Sequence, residues 1–265
     1  MRARIGGAEI EYEARGKGPA VLFLHAFPLG LFMWDCQAAA LEATHRVVRF
    51  DDRGFGGSPP QEGPLAMERI ADDAAALLDH LGIEQAAVCG CSMGGYAAFA
   101  MVRRHAARIR ALVLQDTRPG PDSEEARRNR AQVAERVLRE GASVAADAYL
   151  PKLVGETTHR MRPDLVARLR EAILAVPPRG IASALQGLAA RVDSQPTLTQ
   201  IRVPTLVVCG VEDVLTPPAE SEAMQRAIPG SRLELIPEAG HLANIENPES
   251  FNWALLPFLR EVDAT

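Results

Sequence analysis

Over the first 117 residues, short apolar runs alternate with longer stretches whose apolar residues recur at helical spacing. The runs Val21–Leu24, Arg46–Phe50, Ala86–Cys89 and Ala111–Leu114 read as strands. The stretches Trp34–Leu41, Leu65–Leu81 and Met93–Arg104 read as the helices between them, and two short strands near Ala3–Ile5 and Ile10–Tyr12 come first. Strand followed by helix, repeated, predicts a mostly parallel sheet flanked by helices.

After Gln115-Asp116-Thr117-Arg118-Pro119-Gly120-Pro121 the pattern changes. Strand-like runs vanish until Val203, and the stretch between is rich in Arg, Ala and Glu, with Val133, Val137 and Leu138 at helical spacing. Turn signals at Pro151, Gly155, Pro163, Pro177-Pro178 and Asp193 to Pro196 divide it into about four short helices. The alternation then resumes: strand Thr205–Gly210, helix from about Ala219 to Ala227, strand Arg232–Ile236. The expected organisation is one α/β core in two parts, residues 1–117 and 201–265, with a helical cap at 118–200.

Candidate chemistry is concentrated at Val88-Cys89-Gly90-Cys91-Ser92-Met93-Gly94-Gly95. This is Gly-x-Ser-x-Gly between a strand and a helix, a turn so sharp that the neighbours two before and two after the serine must be small. A glycine turn that only packs helix on sheet is the plainer reading, and the flanking strand and helix favour a nucleophile. Serine is a weak nucleophile at neutral pH and needs a base oriented by a third group. In this arrangement both follow downstream, acid before histidine.

Of six histidines, His241 stands in a turn straight after the strand Arg232–Ile236. The preceding strand Thr205–Gly210 delivers Val211-Glu212-Asp213 to a loop, and Asp213 is the assigned acid, 28 residues before His241. Glu212, next to it, and Asp116, at the end of the strand Ala111–Leu114, are the alternatives. The loop after Val21–Leu24 reads His25-Ala26-Phe27-Pro28. The N–H groups of Phe27 and Met93 are the expected donors to a developing oxyanion. Pro28 has no N–H, and His25 reads as a structural residue that fixes this loop.

At these residues the chain resembles the serine α/β-hydrolase superfamily, which adds a strand ending in Asp-x-Arg-Gly-x-Gly-x-Ser, here Asp51-Asp52-Arg53-Gly54-Phe55-Gly56-Gly57-Ser58. The resemblance runs from about Val21 to Phe258 and implies an eight-stranded α/β-hydrolase fold. Ala26 stands where the superfamily usually has glycine, which restricts the backbone beside Phe27. Leu24-His25, Met33-Trp34, Asp213 to Pro218 and Gly240 to Pro248 are similar to enol-lactone hydrolases of aromatic degradation, to small carboxylesterases and to cofactor-free perhydrolases and haloperoxidases. The reaction implied is attack of Ser92 on an ester or lactone carbonyl, with His241 as base and Asp213 holding the imidazole, and no metal or organic cofactor. Perhydrolysis and carbon–carbon bond hydrolysis are runner-up reactions for the same triad, and an intact triad argues against a receptor that binds without turnover.

Phe27, Trp34, Met93, Leu215 and Leu242 are expected around a small, largely apolar substrate. The arginines of the insertion read mainly as a solvated face, with one of Arg127, Arg128 or Arg130 able to turn inward to a substrate carboxylate. A net charge of −5 gives no electrostatic reason to bind nucleic acid. Met1-Arg2-Ala3-Arg4 precedes no apolar run of signal-peptide length, and Val21–Trp34 is broken by His25, Pro28 and Gly30, so the expectation is a cytoplasmic protein with no membrane segment. Cys36, Cys89, Cys91 and Cys209 show no disulfide framework, and Cys89-Gly90-Cys91 lacks the histidine that metal binding would want. Cys91, beside the nucleophile, either points into the core or is open to oxidation.

Overall fold

A computed structural model describes residues 1–264. Eight strands form one sheet: β1 (Arg2–Ile5), β2 (Ala8–Arg15), β3 (Ala20–Leu24), β4 (Arg46–Phe50), β5 (Ala86–Cys91), β6 (Ile109–Gln115), β7 (Thr205–Gly210) and β8 (Arg232–Ile236). Their order is β1-β2-β4-β3-β5-β6-β7-β8. The first two are antiparallel to their neighbours and the rest run parallel. Every residue of β3, β5 and β7 is buried, which is why these strands are continuous apolar runs rather than alternating ones. Register places Leu22 opposite both Val48 and Val88, and Val88 opposite Leu112, so aliphatic side chains stack across four adjacent strands.

Helices flank the sheet. In the first half these are α1 (Asp35–Leu41), α2 (Met67–His80) and α3 (Met93–His105). Two of these helices begin later than expected. Trp34 closes a 3₁₀ turn, Leu31–Trp34, that precedes α1. Leu65 and Ala66 are not helical: Ala66 follows Pro64 in extended geometry, and Leu65 donates its N–H to the carbonyl of Ser183 in the insertion.

Between β6 and β7 lie six helices, not about four: α4 (Glu124–Glu140), α5 (Ser143–Leu153), α6 (Glu156–Met161), α7 (Pro163–Ala175), α8 (Pro178–Ala190) and α9 (Gln195–Leu198). Prolines open helices here as well as breaking them: Pro163 and Pro178 occupy first-turn positions, and Pro151 lies inside α5. Ser123 caps α4 by accepting the Ala126 N–H at 3.1 Å, and Gly141, at φ 92°, ends it. Helices α10 (Pro218–Ala227), α11 (Ala243–Glu246) and α12 (Pro248–Asp263) complete the chain. Among the described residues no helix is long and apolar enough to cross a membrane.

Candidate active site

Ser92 sits between β5 and α3 at φ 51° and ψ −109°, a left-handed conformation that a side chain rarely adopts. The elbow closes only because its neighbours have no side chain. A Cβ on Gly90 would stand 2.3 Å from the carbonyl oxygen of Gly94, and one on Gly94 would stand 2.2 Å from that of Leu24. The turn lifts Oγ to 2.7 Å from Nε2 of His241.

His241 follows β8 and is itself buried. Its Nδ1 lies 2.8 Å from Oδ2 of Asp213. With Nδ1–H donating to the carboxylate, Nε2 is left as an acceptor facing the Ser92 hydroxyl. Asp213 is fixed in turn by the N–H groups of Leu215 and Thr216 on Oδ1, at 2.8 and 3.0 Å, and by the Thr216 hydroxyl on Oδ2, at 2.6 Å. Burial disfavours charge on both partners, but mutual attraction and these hydrogen bonds outweigh it. His241 is therefore raised above the ordinary imidazole value and Asp213 lowered below the ordinary carboxyl value.

The two alternative acids lie elsewhere. Glu212 accepts the N–H and hydroxyl of Thr157 at 2.8 and 2.6 Å, a link to the helical insertion. Asp116 is fully buried at φ 43° and accepts from the N–H groups of Gly210 and Ala243 and from the Gln115 amide. Burial and the Asp213 charge push its carboxyl up to about 7 against the pull of His241 and its donors. Its contacts brace the ends of β7 and of the histidine loop.

Neither the Phe27 nor the Met93 amide donates a hydrogen bond within the described residues. The Phe27 ring meets Tyr149 edge-on at 5.2 Å and Phe55 at 6.3 Å. A cavity of about 360 Å³ opens over the serine. Phe27, Ser92, Leu215, Thr216 and His241 from the core meet Arg118, Asn129, Arg130, Val133, Tyr149, Lys152, Leu153 and Leu188 there.

Three of the expected pocket side chains lie off the cavity wall, Met93 being fully buried at the start of α3. Trp34 is fully buried between Phe23 and Phe251, with ring centroids 4.6 and 6.2 Å away, because the 3₁₀ turn packs it against the interior strands β3 and β4. Leu242 is also fully buried, one residue beyond the histidine and off the cavity wall. Leu215 does line the cavity. Of the three candidate arginines only Arg130 does so; Arg127 and Arg128 are exposed.

Several residues had no sequence reading. Glu246 accepts four bonds: from Gly240 N–H and Leu242 N–H on Oε1 at 2.9 and 3.0 Å, and from Gly155 N–H and the Thr158 hydroxyl on Oε2, both at 2.7 Å. It joins both flanks of His241 to the insertion. Asn244 receives the Gln115 amide at 2.9 Å and donates to the Met33 carbonyl at 2.8 Å, joining the histidine loop to the loop that follows β3. Asp122, whose side chain is fully buried, pairs with Arg130 at 2.5 Å and Arg191 at 2.7 Å, and Arg118 stands 3.4 Å away. An aspartate within a run of arginines was the available signal. Cys91 turns inward, its thiol on the His241 carbonyl at 3.8 Å; burial and the nearby Asp116 and Asp213 raise its pKa and leave it inert.

A mostly parallel sheet in this strand order, with a serine lifted on a strand-to-helix elbow against a histidine from beyond the last strand, defines an α/β-hydrolase. The sequence model described as the alpha/beta hydrolase fold matches residues 19–248, and the chain belongs to that family. It is 32% identical to 3-oxoadipate enol-lactonase 2 of Acinetobacter baylyi over 239 residues, 89% of this chain and 87% of that one. Among solved structures, a thermophilic esterase from Thermogutta terrifontis with malate bound superposes with a TM-score of 0.97 at 43% identity, covering 99% of each chain. The enol-lactonase from Burkholderia xenovorans LB400 superposes at 0.92 with 32% identity, over 98% of this chain and all of that one.

Proposed function

We propose that this protein is a serine hydrolase that cleaves a small ester or lactone through an acyl-enzyme on Ser92. The coarser part, a carboxylic ester hydrolase, rests on the esterase and enol-lactonases it is similar to. The observation that carries the finer reading is the unbroken line from Ser92 Oγ through the His241 ring to Asp213, with steps of 2.7 and 2.8 Å.

In this reading His241 takes the proton from Ser92 as Oγ attacks the carbonyl, and Asp213 stabilises the imidazolium that forms. The unpaired N–H groups of Phe27 and Met93 receive the oxyanion. His241 returns the proton to the leaving oxygen; water, activated by the same imidazole, then releases the acid.

The cavity supports a substrate that is apolar near the reacting carbonyl and anionic at its far end. Phe27, Leu153, Leu188 and Leu215 supply the apolar wall, and Arg118, Arg130 and Lys152 face it with more positive charge than Asp122 neutralises. The test is hydrolysis of a chain-length series of p-nitrophenyl esters, with and without a terminal carboxylate, beside a panel of lactones, using wild type and Ser92→Ala. Ser92-dependent turnover with preference for the carboxylate-bearing members is expected. Equal turnover by the two proteins would remove the reading.

A further inference from the structure

Asp52 is a buried acid that the triad does not use. Its side chain is about 1% exposed, and neither carboxylate oxygen has a hydrogen-bond donor. A bare carboxylate in such a place is costly, so it must hold a proton or face a cation. The surrounding charges offer little. Asp51, beside it, is occupied by the N–H groups of Leu31 and Gly57. Arg53, on the other side, is committed to Asp73 of α2 through two bonds of 2.7 Å. What remains is His25, equally buried, whose Nε2 lies 3.3 Å from Oδ2 of Asp52.

His25 touches the oxyanion loop directly. Its Nδ1 lies 3.1 Å from the carbonyl oxygen of Ala26, and its Nε2 lies 3.0 Å from the N–H of Asp52. The Ala26 carbonyl and the Phe27 N–H belong to one planar peptide group, so whatever holds that oxygen also aims that N–H. Leu29 N–H holds the same oxygen at 2.9 Å.

We propose that His25 and Asp52 hold a shared proton whose presence keeps Nδ1–H of His25 on the Ala26 carbonyl and so aims the Phe27 N–H at the oxyanion. His25 is thus a positioning residue, and Asp52 selects its tautomer. With the proton present, Asp52 is neutral, Nε2 accepts the Asp52 N–H and Nδ1 keeps its hydrogen. When the proton is lost to solvent, the bare carboxylate draws the remaining ring proton to Nε2, at the cost of the bond that Nε2 accepts from the Asp52 N–H. Nδ1 then turns a lone pair on the Ala26 carbonyl, and the peptide plane is released. Burial, reinforced by Asp73 and Asp51 and opposed by His25, pushes Asp52 up to about 6, so the proton is lost as pH rises through that value.

This inference rests on the reading of Phe27 as an oxyanion donor, and the two fail in different experiments. Ser92→Ala tests that reading. The pair is tested by kcat and KM of wild type and Asp52→Asn from pH 4.5 to 9, with ¹⁵N spectra of the His25 ring in wild type. The amide that replaces the carboxyl in Asp52→Asn has no proton to lose and can donate to Nε2, which locks the Nδ1–H tautomer. Relative to Asp52→Asn, wild-type kcat should fall about tenfold as pH rises through about 6, a fraction of the loss from removing an oxyanion donor outright, with KM little changed. The wild-type spectra should show the ring hydrogen moving from Nδ1 to Nε2 over the same range. Superimposable pH profiles of the two proteins, or a His25 tautomer that stays constant, would overturn the proposal. The spectra decide the matter even if Asp52→Asn does not fold.

Discussion

Oε2 of Glu246 accepts the N–H of Gly155 at 2.7 Å, across the boundary between the histidine loop and the helical insertion. The same carboxylate holds Gly240 and Leu242, the two neighbours of His241. A disturbance of the insertion therefore reaches His241 through one side chain.

Glu246→Ala leaves four buried donors without an acceptor. Destabilisation of about 3 kcal/mol is expected, read as a lowered urea midpoint. kcat should fall as well, because the imidazole loses the supports on both sides.

Ser92→Ala should retain the fold and lose turnover by about 10⁴-fold or more. Circular dichroism together with ester hydrolysis measures both. A residual rate within tenfold of wild type would take Ser92 out of the chemistry.

Asp213→Asn and Asp116→Asn separate the two buried acids. The amide introduced by Asp213→Asn holds the imidazole in the wrong tautomer, and a loss in kcat of about 10⁴-fold is expected. Asp116 touches two backbone donors and the Gln115 amide and not the ring, so its Asn variant should lower the melting temperature while keeping kcat within about tenfold. Equal losses of activity would refute the assignment of Asp213.

The pH dependence follows from the opposite shifts of His241 and Asp213. The base must be neutral to act, and its pKa is raised above 6.5, so kcat/KM should climb with pH at a midpoint above that value. Asp213→Asn should move the midpoint down. For stability, the raised His241 contributes fully below its unfolded value of 6.5 and loses that contribution as pH rises through its folded value. The lowered Asp213 contributes above 3.8 and loses its share as pH falls through its depressed folded value. Urea midpoints measured across pH 3 to 9, wild type against Asp213→Asn, report both limbs.

Arg130→Ala tests the anionic end of the cavity. kcat/KM for an ester with a terminal carboxylate should fall about tenfold or more, and that for a neutral ester of equal length should change little. Equal losses on the two substrates would make Arg130 a structural partner of Asp122 alone.

The sheet was readable because its central strands are buried on both faces and so appear as unbroken apolar runs, Val21–Leu24 being the plainest. The approach of Ser92 to His241 was readable because an elbow needs glycines and because His241 stands in a turn after a strand, where the proposed reaction wants its base. Asp213 could be set ahead of Glu212 only as an assignment; the fold points Glu212 outward to Thr157. The pocket was not readable. Trp34 and an exposed aromatic look alike in one dimension, and nothing local distinguishes Arg130 from Arg127 until Asp122 is seen beneath it. Glu246 and Asp52 were missed for a related reason: their burial is created by segments far away in the chain.

The crowding at the elbow has a consequence for how this scaffold can diversify. With Gly90 and Gly94 sealed against carbonyl oxygens, the reactive centre admits almost no variation without losing its shape. Asn129, Ala148 and Lys152, on α4 and α5, reach the same cavity from helices with solvent at their backs and no such crowding. Laboratory evolution toward new acyl groups should accumulate its gains on those two helices, leaving an unchanged engine beneath an interchangeable lid.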